Sequence, residues 1–283
     1  MTLLGLVGFP LEHSLSPSIH QAAMEYAQLK GSYELFPIAP EALDGLQDVL
    51  VRLRGGEISG LNVTIPHKQT VIPMLDELTC EAESIGAVNT ISRRNGQLIG
   101  ANTDAPGFLA DLRQVFPRRP WELAGRKHAL VLGAGGAARA VVYALLTDGW
   151  QVTLAARRIE QARALAEDMA NLQGCLTAIA LQPGALYPLV NEVTLLVNTT
   201  PLGMFPHGDA SPWPPELVLP PLAAVYDLVY NPRETQLLRA ARAAGLPAAG
   251  GLGMLLAQAA LAFEIWTDVS VPRPVWAGAV EDL

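Results

Sequence analysis

The chain has 283 residues, enough for about two domains, and it is half hydrophobic with only 16% charged residues, a balance that excludes disordered and fibrous classes. Its formal net charge of −8 argues against nucleic acid and anionic membranes as partners, so an anionic small molecule must be held by local donors. The two cysteines, Cys80 and Cys175, lack metal or CxxC spacing and read as small buried side chains in a reducing cytoplasm.

In chain order, Leu3 to Phe9 reads as a strand. The apolar start has no basic stretch and breaks at Gly8-Phe9-Pro10, so no signal peptide is expected. Ser16-Pro17 reads as a helix cap followed by proline at the first helical position. Ile19, Ala22, Ala23 and Tyr26 carry that helix to about Lys30, and Leu43, Leu46, Val49, Leu50 and Leu53 mark a second. Ile58 to Val63 is a strand, and Val88 to Arg93 pairs with Gln97 to Gly100 around the hairpin signal Asn95-Gly96. A helix through Phe108, Leu109, Leu112 and Val115 leads to a loop with Pro117, Pro120 and Gly125. Strands at His128 to Leu132 and Gln151 to Ala155 alternate with helices to Asp148 and from Ile159 to Asn171. Thr177 to Ala180, Leu195 to Asn198 and Ala224 to Leu228 read as further strands. The uncharged run from Ala243 to Phe263 holds Pro247, four glycines and Gln258, and so reads as loop, tight backbone and buried helix rather than a membrane span. The alternation predicts two α/β domains, a mainly parallel one followed by a Rossmann-type one.

Gly133-Ala134-Gly135-Gly136-Ala137-Ala138, between a strand and a helix, has the form of a dinucleotide fingerprint, in which backbone N–H groups approach a pyrophosphate at a helix N-terminus. After the next strand stands Ala156-Arg157-Arg158, with no carboxylate before Glu160. A ribose 2′-hydroxyl would call for an acid there, whereas two guanidiniums suit a 2′-phosphate, so the cofactor reads as NADP. Ser14 and Ser16 flank a helix start; from the residues alone Ser16 is a cap and Ser14 a loop residue, though both hydroxyls suit a carboxylate. Asn62-Val63-Thr64-Ile65-Pro66-His67-Lys68, Gly86-Ala87-Val88-Asn89-Thr90 and Asn102-Thr103-Asp104 offer one lysine, one aspartate and several amides. Hydride arriving at a ketone carbon leaves charge growing on its oxygen, and a positioned ammonium stabilises that charge and supplies the proton. Lys68 is the lysine in a loop beyond a strand's carboxyl end, and Asp104 would fix its position. His13, His20, His67, His128 and His207 show no metal-ligand spacing and read as structural, with no metal assigned.

Taken in order, these strings, with Asn198-Thr199-Thr200-Pro201-Leu202-Gly203-Met204, Asp227-Leu228-Val229-Tyr230 and Gly251-Leu252-Gly253-Met254-Leu255-Leu256-Ala257-Gln258, resemble the shikimate dehydrogenase family over nearly the whole chain. The resemblance implies NADP-linked, reversible oxidation of shikimate to 3-dehydroshikimate in the cytoplasmic route to aromatic amino acids. By it, Ser14 and Ser16 hold the substrate carboxylate with Tyr230 nearby, while Thr64, Asn89, Asp104 and Gln258 take ring hydroxyls. Lys68 and Asp104 are catalytic; Gly133, Ala134, Gly135, Gly136, Ala137, Ala156, Arg157, Arg158, Leu228, Gly251 and Met254 border the cofactor. The substrate domain is expected at residues 1–103, the NADP domain at 104–239, and the C-terminal helix, within 240–283, returns to the first. Monomer and homodimer are both left open.

Three departures from the family pattern stand out: Ala156-Arg157-Arg158 where Asn-Arg-Thr is common, Gly250 where an aspartate often stands, and Cys80 where some members are acidic. The alternatives are a dual quinate/shikimate dehydrogenase and a non-catalytic nucleotide- or metabolite-binding relative. A glutamyl-tRNA reductase-like reading lacks a nucleophilic cysteine in the first domain's motifs.

Overall fold

A computed structural model describes residues 1–118, 120–205 and 208–281. The chain divides into two compact units, one of Met1–Asp104 together with the residues from Leu256 onward, the other of Ala105–Leu255.

The first unit begins with β1 (Thr2–Gly8), α1 (Ser16–Tyr26), β2 (Gly31–Pro37), α2 (Leu43–Gly55) and β3 (Gly60–Val63). It continues with β4 (Glu77–Leu78), α3 (Cys80–Ile85), β5 (Thr90–Arg94) and β6 (Gln97–Ala101). The sheet order is β2-β1-β3-β5-β6-β4. β1 runs parallel to both neighbours, β4 parallel to β6, and β5 antiparallel to β3 and β6. The β5–β6 turn uses Asn95 and Gly96, both at positive φ, as a two-residue hairpin requires. Leu46, Val49, Leu50 and Leu53 form the buried stripe of α2 and pack on Val7, Leu61, Val63 and Ile91 of the sheet. Gly56, left-handed at φ 81°, ends that helix.

The second unit holds α4 (Asp104–Val115), α5 (Pro120–Leu123), β7 (His128–Leu132), α6 (Gly136–Thr147), β8 (Gln151–Ala156) and α7 (Ile159–Asp168). Then follow β9 (Leu176–Ala180), α8 (Pro183–Leu186), β10 (Leu195–Asn198), β11 (Ala224–Asp227), α9 (Gln236–Ala243) and β12 (Ala248–Gly250). Its sheet is parallel throughout, in the order β12-β11-β10-β7-β8-β9. The order reverses at β7 and β10, the switch point where such sheets take ligands beyond their carboxyl ends. β7 is buried at every residue, as a central strand covered on both faces must be. α10 (Leu252–Thr267) then carries the chain back, and α11 (Arg273–Gly278) follows it in the first unit.

Several expectations need correction. The return falls at Leu256 and not at 240, because β12 pairs with β11 and Leu237 and Ala241 of α9 lie in the second core. Asp104 belongs with the first unit. β2, α3, β4, α9 and β12 were not foreseen, and α1 stops at Tyr26 rather than near Lys30. Ser16 is the first helical residue and not the cap: the cap position is Leu15, whose apolar side chain makes no capping hydrogen bond, and the Oγ of Ser14 accepts from the Ser16 N–H at 3.3 Å. Both cysteines are free and exposed rather than buried, since Cys80 opens the short surface helix α3 and Cys175 lies in the loop before β9. His207 lies outside the described residues.

Candidate active site

In the first unit, β1 and β3 are adjacent parallel strands whose carboxyl ends feed the two loops of interest. The loop after β1 carries Ser14 and Ser16 into α1, with Ser14 half-buried and Ser16 nearly closed off. The loop after β3 carries Thr64, His67 and Lys68. The Phe9 N–H donates to the Ile65 carbonyl at 2.8 Å, and a Cβ on Gly8 would meet the Thr64 methyl at 2.3 Å, so the two loops lie against each other.

Lys68 is fixed from both sides along the chain. The buried His67 ring bonds the Ile38 carbonyl through Nε2 at 2.7 Å, and the Lys68 carbonyl accepts from Val88 N–H at 2.8 Å. The ammonium then reaches Asp104 Oδ2 at 2.6 Å, with side-chain exposures of 13% and 7% for the pair. Two charges taken that far out of water cost several kcal/mol each unless they meet closely and their remaining lone pairs are satisfied. Here Asp104 Oδ1 accepts from the Asn89 amide at 2.9 Å, and the Asp104 N–H donates to Asn102 Oδ1 at 3.1 Å. Asn89 is buried and also lies 3.3 Å from Gln258 Oε1 on α10. Lys68, Asn89, Asp104 and Gln258 are thus brought into one cluster, with Thr64 at the start of the same loop as Lys68.

Behind this cluster stands a polar layer that sequence reasoning missed. Tyr33 donates to Asn62 Oδ1 at 2.9 Å, and the Asn62 amide bonds the Asn89 carbonyl and Thr90. Thr103 bonds Asn89. The available signal was Asn62 and Thr90, polar residues inside strands, and Thr103 in the short connection between β6 and α4.

In the second unit, β7 runs into a glycine turn before α6. Gly133 sits at φ 107°, and a Cβ there would meet the Thr199 hydroxyl at 2.8 Å. A Cβ on Gly135 would face open space, so the backbone beyond β7 is uncovered. Gly135 occupies the cap position of the 12-residue α6 without a side chain, and the first turn carries no acid. That combination leaves helix N–H groups and the positive end of the dipole for a pyrophosphate. β8 ends at Ala156, and Arg157 and Arg158 follow it exposed, with no ion pair among the described residues. These residues fit a phosphorylated dinucleotide.

At the carboxyl ends of β10 and β11, Asp227 is fully buried and accepts from Asn198 at 2.8 Å, Val229 N–H at 3.1 Å and Thr235 at 2.7 Å. Burial raises its carboxyl above the usual range, and the three donors oppose that rise. This unforeseen carboxylate orders the segment carrying Leu228 and Tyr230. A Cβ on Gly251 would lie 2.1 Å from the Leu228 carbonyl, so only glycine lets these strands of backbone meet there. Met254 follows, buried, on α10. Tyr230 belongs to this second unit, and burial raises its phenol. An open hollow of about 460 Å³ lies at the opposite end of the sheet, where β7 and β8 begin; Arg126 and Lys127 there are already bonded to Asn191 and Asp148.

Comparison with known proteins gives one consistent result. Residues 6–91 match the family model described as shikimate dehydrogenase substrate binding domain, and residues 251–281 the one described as shikimate 5'-dehydrogenase C-terminal domain. The shikimate dehydrogenase (NADP(+)) of Salinibacter ruber is 45% identical over 276 residues, 96% of this chain and 94% of its own length. The shikimate 5-dehydrogenase of Thermus thermophilus, solved in complex with NADP(H) and shikimate, is 40% identical, with 99% of this chain and 98% of that one covered and a TM-score of 0.81. The quinate dehydrogenase of Corynebacterium glutamicum in complex with NAD is 31% identical, covering 100% and 99%, with a TM-score of 0.86.

Proposed function

This chain belongs to the shikimate dehydrogenase family, and from that premise we infer that it interconverts shikimate and 3-dehydroshikimate with NADP(H), within the synthesis of aromatic amino acids. NADP, when bound, supplies the chemistry of accepting or returning the hydride. Its residues would be the Gly133 to Ala137 turn, Ala156, Arg157 and Arg158, with Leu228, Gly251 and Met254 bordering it. Everything else falls to the first unit. Ser14 and Ser16 grip the substrate carboxylate, and Thr64, Asn89, Asp104 and Gln258 bond its hydroxyls. As the hydroxyl carbon is oxidised, the Lys68–Asp104 pair takes the hydroxyl proton. In reduction Lys68 gives a proton to the oxygen on which charge grows.

The observation that carries this reading is the 2.6 Å Lys68–Asp104 pair, both side chains largely buried and braced by Asn89. Such a pair is costly to keep for structure alone, which counts against a non-catalytic relative. The location is read as cytoplasmic: no helix among the described residues is long and apolar enough to cross a membrane, and both cysteines are free. The test is initial rates of absorbance at the NADPH band with shikimate or quinate, each with NADP and NAD. Turnover of shikimate with NADP, well above the other three pairs, is expected. A quinate rate equal to it would make the enzyme dual, and no turnover with any pair would overturn the reading.

A further inference from the structure

Thr103 precedes Asp104, is 3% exposed, and has no part in the mechanism above. Its N–H lies 2.7 Å from Asn89 Oδ1. A peptide N–H can only donate, so this contact fixes which end of the Asn89 amide is oxygen. The amino end must then face Asp104 Oδ1 at 2.9 Å and the Thr103 hydroxyl, also at 2.9 Å. Asn89 Oδ1 further accepts from Thr90 at 3.1 Å. The Thr103 hydroxyl also lies 3.2 Å from Asn89 Oδ1, 3.2 Å from the Thr90 hydroxyl and 3.5 Å from Gln258 Oε1 on α10. The same Gln258 oxygen lies 3.3 Å from the Asn89 amino group. One hydroxyl and one N–H of Thr103 therefore set the Asn89 amide, and through it the carboxylate that holds Lys68.

We propose that Thr103 is a positioning residue: its N–H and hydroxyl together lock the Asn89 amide so that its amino group holds Asp104. The consequence is specificity for the pattern of ring hydroxyls rather than stability. This rests on the shikimate reading above.

Thr103→Val keeps the side chain's shape and the N–H bond to Asn89 while removing the hydroxyl. The kcat/KM for shikimate should fall about three- to tenfold, the size of one or two neutral hydrogen bonds, with most of the change in KM. The KM for NADP and the Tm should stay near native, and Thr103→Ser should restore kcat/KM to within about twofold. Should the valine variant be unstable, Thr103→Ala carries the same expectation. A native-like kcat/KM without the hydroxyl, or a serine variant as poor as the valine one, overturns the proposal. So does a loss of Tm with shikimate and NADP constants moving together, since that marks a packing role. Absence of shikimate turnover in the native protein would overturn the functional reading and the proposal together, whereas native turnover with an unaltered Thr103→Val overturns the proposal alone.

Discussion

At Lys68 a single substitution removes the proposed proton source and uncovers a buried anion. Lys68→Ala should cut turnover by at least about a hundredfold, the lower size of a general acid–base contribution, while shikimate still binds. The Tm should fall as well, because Asp104 keeps only the Asn89 amide against its desolvation. A fall of a few-fold in turnover with a raised KM would instead make Lys68 a binding residue. Ser14 and Ser16 are expected to act on affinity. Losing one charge-assisted bond to a carboxylate costs roughly 1.5–3 kcal/mol, so Ser14→Ala or Ser16→Ala should raise the shikimate KM roughly tenfold or more. The Ser14 contact to Ser16 N–H is long at 3.3 Å, so the Tm of Ser14→Ala should hardly move. A marked stability loss with unchanged kinetics would end the substrate role. Lys68 and Asp104 were legible in sequence because their charges stand out in loops beyond strands. The roles of Asn62, Thr90 and Thr103 were not, because a neutral polar residue in a strand or a short connection looks like any other until its partners are folded against it.

Elements were legible in proportion to their burial. β7 and β10 have the bounds their apolar runs predict, being central strands. β2 was missed because it is an edge strand, mostly half-exposed, holding Ser32, Glu34 and a closing Pro37, and it forms by pairing with β1. β12 was missed for the same reason, as three residues of alanine and glycine at the far edge. The packing of α1 on β2 carries a pH dependence that neither segment shows alone. His20 stacks flat on Tyr33 at 4.5 Å, with Phe263, Trp266 and Trp276 also around it. Its burial pushes the imidazole down to about 3 from 6.5, against a smaller upward pull from Asn62. The unfolded chain takes a proton below 6.5 that the folded chain refuses, so this stability is complete above pH 6.5 and is lost as pH falls toward 3. The slope is about 1.4 kcal/mol per pH unit. Urea unfolding of His20→Leu between pH 6.5 and 4.5 should therefore show a flatter fall than the native protein. Equal slopes, or an imidazole that titrates near 6.5 in the folded state, would refute it.

For the molecule as a whole, a net charge of −8 must coexist with anionic ligands. A 2′-phosphate adds about −1.5 to −2 near neutral pH, and two opposed fields act on it. The overall acidity repels it from across the surface, while in the proposed site Arg157 and Arg158 attract it at contact. Salt separates the two by sign. Charges about 10 Å apart or more are largely screened at 0.1 M, and exposed guanidiniums are screened too, though less at contact distance. If global repulsion governed, added salt would favour NADP over NAD. If the arginine pair governs, added salt erodes the preference. The second is expected, because each guanidinium can form paired hydrogen bonds with phosphate, and Ala156 offers no neutral side-chain contact to carry affinity through high salt. The measurement is the ratio of kcat/KM for NADP to that for NAD at low and high salt, in native protein and Arg157→Ala. The native ratio should be large and fall with salt. The substitution should reduce NADP efficiency sharply, leave NAD efficiency nearly unchanged, and flatten the salt dependence, since one of the two charges that produce it is gone. A ratio that rises with salt would show that the distant acids govern the preference. One that neither Arg157→Ala nor Arg158→Ala moves would place the 2′-phosphate away from the end of β8.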